Sequence, residues 1–139
     1  MSTKTAKEIQ TDFFDLIKAS PLANAISGGV YRAGLRPRDS KLEDITVSFV
    51  SGLPNQIQTG IIAICIYVPD IDPYGNGAFV EDGARTELLE RLSQNWLDTI
   101  PARSTDYVLR LQDTITTIED EEIKQHFVSV MLHYEYCSE

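Results

Sequence analysis

Arg32, Arg36, Arg38 and Lys41 fall within ten positions, inside the run YRAGLRPRDSKLEDITV (31–47). Cations so spaced can grip phosphate or a carboxylate-bearing surface. A second chemical candidate is PDIDPYGNG (69–77), whose Asp70 and Asp72 open like an Asp-x-Asp calcium loop. Such a loop needs an oxygen ligand at its fifth position and a bidentate Glu at its twelfth. Counted from Asp70, those are Tyr74 and Glu81, so the run reads as a turn with helix-cap duties. Glu119, Asp120, Glu121 and Glu122 read as a solvated hairpin turn rather than a divalent-ion site. His126 and His133 are seven residues apart on an expected strand, which points them to opposite faces and makes them structural. Cys65 lies in an apolar run with no Cys-x-x-Cys partner and reads as a packing thiol. With Cys137 it is expected to make two reduced thiols of a cytosolic protein, not a disulfide. Gly28-Gly29 and Gly75-x-Gly77 complete neither a phosphate loop nor Gly-x-Gly-x-x-Gly, and no Gly-x-Ser-x-Gly occurs. The expectation is a protein that is not an enzyme and holds no cofactor or metal.

The net charge is -9, and it is unevenly placed. Residues 1–42 hold seven Lys/Arg against four Asp/Glu; residues 43–139 hold five against seventeen. General nucleic-acid binding relies on a basic surface that releases counterions, and most of this chain would repel phosphate. The basic segment therefore touches DNA only locally, contacts water, or meets an acidic surface within the fold or on a neighbouring copy. The longest apolar run, Ile61 to Val68, is far short of the roughly 20 residues that span a bilayer. The start, MSTKTAKEIQTDFF, lacks the apolar core of a signal peptide.

These residues must be carried by a small set of elements. Lys4 to Ala19 reads as a helix, with Ile9, Phe13, Leu16 and Ile17 on one stripe and Ser20-Pro21 ending it. A strand is expected around Val30 to Leu35. EDITVSFVSG follows as a strand with Ile45, Val47 and Phe49 on its buried face. The segment from Ile61 to Val68 is apolar on both faces, which predicts a central strand covered on both sides by helices or by a neighbouring subunit. The intervening loop of about eight residues presents Leu53 and Ile57, which either fold back or meet a partner. Ala78 to Ile100 is the strongest helix, with Val80, Ala84, Leu88, Leu92 and Trp96 recurring every fourth residue. Tyr107 to Ile118 and Lys124 to Tyr136 read as two long strands joined by the acidic turn. The whole is a single α+β domain (1–139), a largely antiparallel sheet of about five strands on two helices, in the order α-β-β-β-α-β-β.

This order, the chain length, the run G-G-V-Y-R (28–32), the strand Q-T-G-I-I-A-I-C-I-Y-V (58–68), the long helix and the closing hairpin resemble the tail-terminator and tail-completion proteins of long-tailed bacteriophages and prophages. The likeness is one of pattern over almost the whole chain and carries no single functional residue across. It implies a ring, usually a hexamer, that stops tail-tube polymerisation and presents a surface for joining the DNA-filled head. The implied partners are further copies of the chain, the tail-tube protein and the head–tail connector, with no sequence-specific nucleic acid and no membrane. The implied location is the host cytoplasm during assembly and then the virion tail. On this reading Arg32, Arg36, Arg38 and Lys41 face acidic positions of the adjacent subunit, in the 119–122 turn or near Glu87 and Glu90. A negative balance also suits an assembly that surrounds DNA without gripping it. Two other readings stand beside it: a head–tail connector subunit, and a binding or adaptor module from outside the phages built on a similar sheet.

Overall fold

Thr5 starts the first helix by a reciprocal cap: its hydroxyl accepts from the Glu8 N–H, and the Glu8 carboxylate accepts from the Thr5 N–H at 2.9 Å. Helix α1 (Ala6–Lys18) buries Ile9, Phe13 and Ile17 on the stripe expected from their spacing. Pro21 ends it, yet the chain turns helical again in α2 (Pro21–Ala25), because proline fits the first turn of a helix. The computed structural model of the chain describes residues 3–100, 103, 104 and 106–137, with backbone alone for 103 and 104.

The strands are β1 (Val30–Arg32), β2 (Ile45–Leu53), β3 (Ile57–Pro69), β4 (Arg103–Ser104), β5 (Tyr107–Leu111), β6 (Thr116–Asp120) and β7 (Gln125–Cys137). Among the described residues they form one sheet in the order β1-β2-β3-β7-β5-β4, with β6 also paired to β7. The domain is α+β and mostly antiparallel; only β1 and β2 run parallel. β1 stops at Arg32, short of the expected Leu35, because Gly34 (φ 82°) turns the chain and the Leu35 N–H returns to the Arg32 carbonyl.

The hairpin between β2 and β3 is tighter than its sequence suggests. Both strands run on through Gly52 and Gly60, which pair opposite each other, and leave only residues 54–56 as the turn. These glycines make room for the Tyr134 ring: a Cβ on Gly60 would lie 2.1 Å from the Ser51 carbonyl and 2.6 Å from the Tyr134 hydroxyl. β3 pairs with β7 along its full 13 residues. The expected strand Tyr107–Ile118 is interrupted, and its halves β5 and β6 lie end to end along β7. Between them Gln112 donates to the Met131 carbonyl at 2.8 Å and Ile115 is buried.

Helix α3 (Gly83–Thr99) begins five residues later than its apolar spacing suggests, because Ile71 and Val80 bridge and hold the preceding chain extended. Asp82 caps it by accepting from the Arg85 N–H. Ile9, Phe13, Leu89 and Trp96 share one core with Ile62, Ile64, Ile66, Val128, Val130, Leu132 and Tyr134, which alternate along β3 and β7. Both main helices therefore lie on one face of the sheet. The alternate residues Ile61, Ala63, Cys65, Tyr67, Phe127 and Met131 form the other face and are only half-buried. Cys65 pairs with Ser129 and Cys137 with Ile57, at distant points along that face. Eight strand residues, about 27 Å, separate the two thiols, too far for a disulfide.

Candidate self-association surfaces

The basic segment divides into one inward cation and three outward ones. Arg36 folds back over the otherwise bare sheet face. Its Nε donates to Asp44 Oδ2 at 2.8 Å, and its Nη2 donates to Gln125 Oε1 at 2.9 Å and to the Leu42 carbonyl at 3.2 Å. The guanidinium lies 4.2 Å from the centre of the Tyr67 ring. Asp44 is 1% exposed and also accepts from the Gly29 N–H and the Ser40 hydroxyl. Burial alone pushes the Asp44 carboxyl up, but the donors from Ser40, Gly29 and Arg36 outweigh it and hold the group below its ordinary range. Gln125 completes the knot by donating to the Ser40 carbonyl at 2.9 Å. Arg36 is thus committed to its own chain and is not available to an adjacent subunit. The physical reason is that Asp44, buried at the root of β2, needs a cation.

Arg32, Arg38 and Lys41 remain exposed, Arg32 on β1 and the other two in the loop that Arg36 and Ser40 tie to Gln125 of β7. Arg32 reaches the Thr11 hydroxyl at 3.3 Å and lies 6.0 Å from the Phe14 ring centre, which fixes it beside α1. The acidic group sits at the opposite edge. Glu119 and Asp120 end β6, and Glu121 and Glu122 form a short 3-10 turn with Ile123. Glu119, Glu121 and Glu122 are exposed. Glu90 is turned inward to accept from Thr117 at 2.6 Å, while Glu87 is exposed. Within one chain the two charge groups do not meet. Register connects them nonetheless: Val30 pairs with Ile45, Ile45 with Ile66, Ile66 with Val128, and Val128 with Thr117. Val30 and Tyr31 of β1 therefore lie level with Thr117 and Thr116 of β6, at the two ends of the sheet, with Arg32 and Glu119 offset by four residues along the strands.

The β2–β3 turn lies at the other end of the strands. Leu53 is 60% and Ile57 53% exposed there, beside Val50 at a β-bulge. The root of this ribbon is tied to the chain just before α1, because Gln58 exchanges hydrogen bonds with the Lys4 backbone at 2.8 and 3.1 Å. Nearby, Asp12 accepts from both Lys4 Nζ and the Tyr107 hydroxyl, the latter at 2.7 Å, beside a concavity of about 410 Å³. Burial and the Asp12 carboxylate both push the Tyr107 phenol up, so it stays protonated. A smaller apolar groove of about 260 Å³ runs between Leu22, Leu92 and Trp96.

The remaining chemical candidates are used structurally. Asp72 accepts from the Asn76 and Gly77 N–H groups at 3.1 and 2.9 Å, closing its own loop. His126 contacts Asp70 through Nδ1 at 2.7 Å, while His133 lies on the other face of β7. Among the described residues no three His, Cys, Asp or Glu side chains converge as a metal site. Burial pushes the Cys65 thiol up, which keeps it protonated. No described helix is long and apolar enough to cross a membrane.

Asp44 and Gln125, the two residues that position the basic segment, carry no mark in the sequence beyond lying at strand starts. The same holds for Glu43, which takes a forked pair from Arg85 at 2.7 and 2.8 Å and ties β2 to α3. No protein-family model matches the chain, and none of the curated proteins matches it.

Proposed function

We propose that the chain is a structural virion protein, a tail-terminator or tail-completion subunit that closes the tail tube as a ring and joins it to the head. The observation that carries this reading is the sheet itself, which among the described residues has two unlike open edges, β1 with Arg32 and β6 with Glu119 and Asp120. A contact between unlike edges is heterologous, and repeated by rotation it closes a ring. Charge at such edges sets orientation and encounter rate more than affinity. Further support comes from the order of elements and from the exposed apolar ribbon tip at Leu53 and Ile57, which suits contact with a neighbouring copy or the tube. The partners on this reading are other copies of the chain, the tail-tube protein and the head–tail connector, first in the host cytoplasm and then in the virion. It needs no catalysis, metal or cofactor.

Electron micrographs of the protein mixed with tail tubes from its own virion test the proposal. Rings capping one end of each tube, and arrest of further tube growth, are expected. Tubes that grow unchanged and carry no cap refute it; binding to the portal side alone favours a head–tail connector instead.

A further inference from the structure

We infer that the subunit contact is a continuation of the β-sheet, in which β6 of one copy adds to the β1 edge of the next. The inference rests on the ring reading above and specifies its interface. β1 pairs only with β2 and β6 only with β7, so each leaves one side without a strand among the described residues. Strand directions fit without inversion. β1 and β2 run together, β3 opposes them, β7 opposes β3, and β6 opposes β7. A second copy with its helices on the same side therefore brings β6 antiparallel to β1, the geometry with the better-aligned hydrogen bonds.

The side chains also match by face. Arg32 lies on the helix side with Thr11, and Glu119 occupies the same side, since Thr117 two residues earlier touches Glu90 of α3. Tyr31 pairs with Thr46 on the bare face, where Ile118 lies beside Phe127 and is 44% exposed. With Ile118 beside Tyr31, Thr117 would stand opposite Arg32 and Glu119 opposite Val30, which leaves Glu119 diagonal to Arg32 on the helix side. Space for the incoming strand exists: a concavity of about 370 Å³ lies between Phe14 of α1, Val30 and Arg32 of β1, and the exposed Leu35. Arg32 is the cation that β1 carries at this edge, and Glu119 on β6 is the carboxylate diagonal to it on the helix side, so charge and strand pairing favour the same docking.

Two chains test it, one carrying Tyr31→Cys and the other Ile118→Cys, each with Cys65→Ala and Cys137→Ala. Mild oxidation of the mixture is expected to give a disulfide-linked pair containing one of each. Light scattering on the same samples separates the outcomes. Assembly without a 31–118 link overturns the edge pairing and leaves the ring reading intact, whereas a chain that stays monomeric and unlinked at millimolar concentration, alone and with tail tubes added, overturns both. A charge exchange repeats the test on exposed positions only. Arg32→Glu in one chain, and Glu119→Lys in another, are each expected to weaken self-association several-fold. Mixed together they assemble again. Unchanged assembly of either variant alone contradicts the inference.

Discussion

Replacing Arg36 by alanine strips a buried carboxylate of the only cation it pairs with among the described residues. The Arg36 side chain is 12% exposed and that of Asp44 1%, so little water reaches the pair. Breaking such a pair from one side costs about 3–5 kcal/mol, because the remaining charge stays buried. Asp44 keeps the Gly29 N–H and the Ser40 hydroxyl, which places the loss at the lower end, about 3 kcal/mol. Urea unfolding followed by circular dichroism reads this directly. With a slope of about 2 kcal/mol per M, the midpoint falls by about 1.5 M. Arg36→Lys keeps the charge but loses the fork and the ring stacking, and should fall between the two. Acid supplies a second arm. The Asp44 carboxyl is held below its ordinary value, so its stabilisation is complete above about pH 4 and lost as pH falls through the folded-state value. The gap between parent and Arg36→Ala must therefore narrow on acidification. A gap under about 0.5 kcal/mol at neutral pH, or one that stays constant in acid, refutes the assignment of Arg36 as an internal staple.

The Tyr134 hydroxyl is fully buried and finds no hydrogen-bond partner among the described residues, so Tyr134→Phe should raise stability by about 1 kcal/mol in the same unfolding assay. Gly60→Ala should lower it by at least about 2 kcal/mol, since the new methyl meets the Ser51 carbonyl at 2.1 Å; a milder effect would mean the hairpin shifts freely. Leu53→Ser with Ile57→Ser is expected to leave stability within about 0.5 kcal/mol, because both side chains are exposed, while weakening capping of tail tubes in micrographs.

The elements that carry an uninterrupted period were legible in the sequence. Ile9, Phe13 and Ile17 are a helix stripe, and the alternation from Ile62 to Val68 and from Val128 to Tyr134 survives as paired strands. What failed depends on distant residues. Gly52 and Gly60 read as loop because glycine weakens strands, and only the Tyr134 ring lying over them explains why they pair. The parallel pairing of β1 with β2 is written in neither strand. Arg36 reads like its exposed neighbours because charge spacing says nothing about direction, and its partner Gln125 is 89 residues away. The two-faced apolar pattern of β3 calls for cover on both sides, by helices or by a neighbouring subunit. Among the described residues the helices lie on one side and the Arg36 segment covers part of the other.

Native mass, measured across protein concentration and ionic strength, tests the proposed ring most directly. A discrete closed oligomer, near six copies of the 15.6 kDa chain, should form at low salt and come apart as salt screens the opposed edges. A chain that remains a monomer throughout, alone and in the presence of tail tubes, contradicts it.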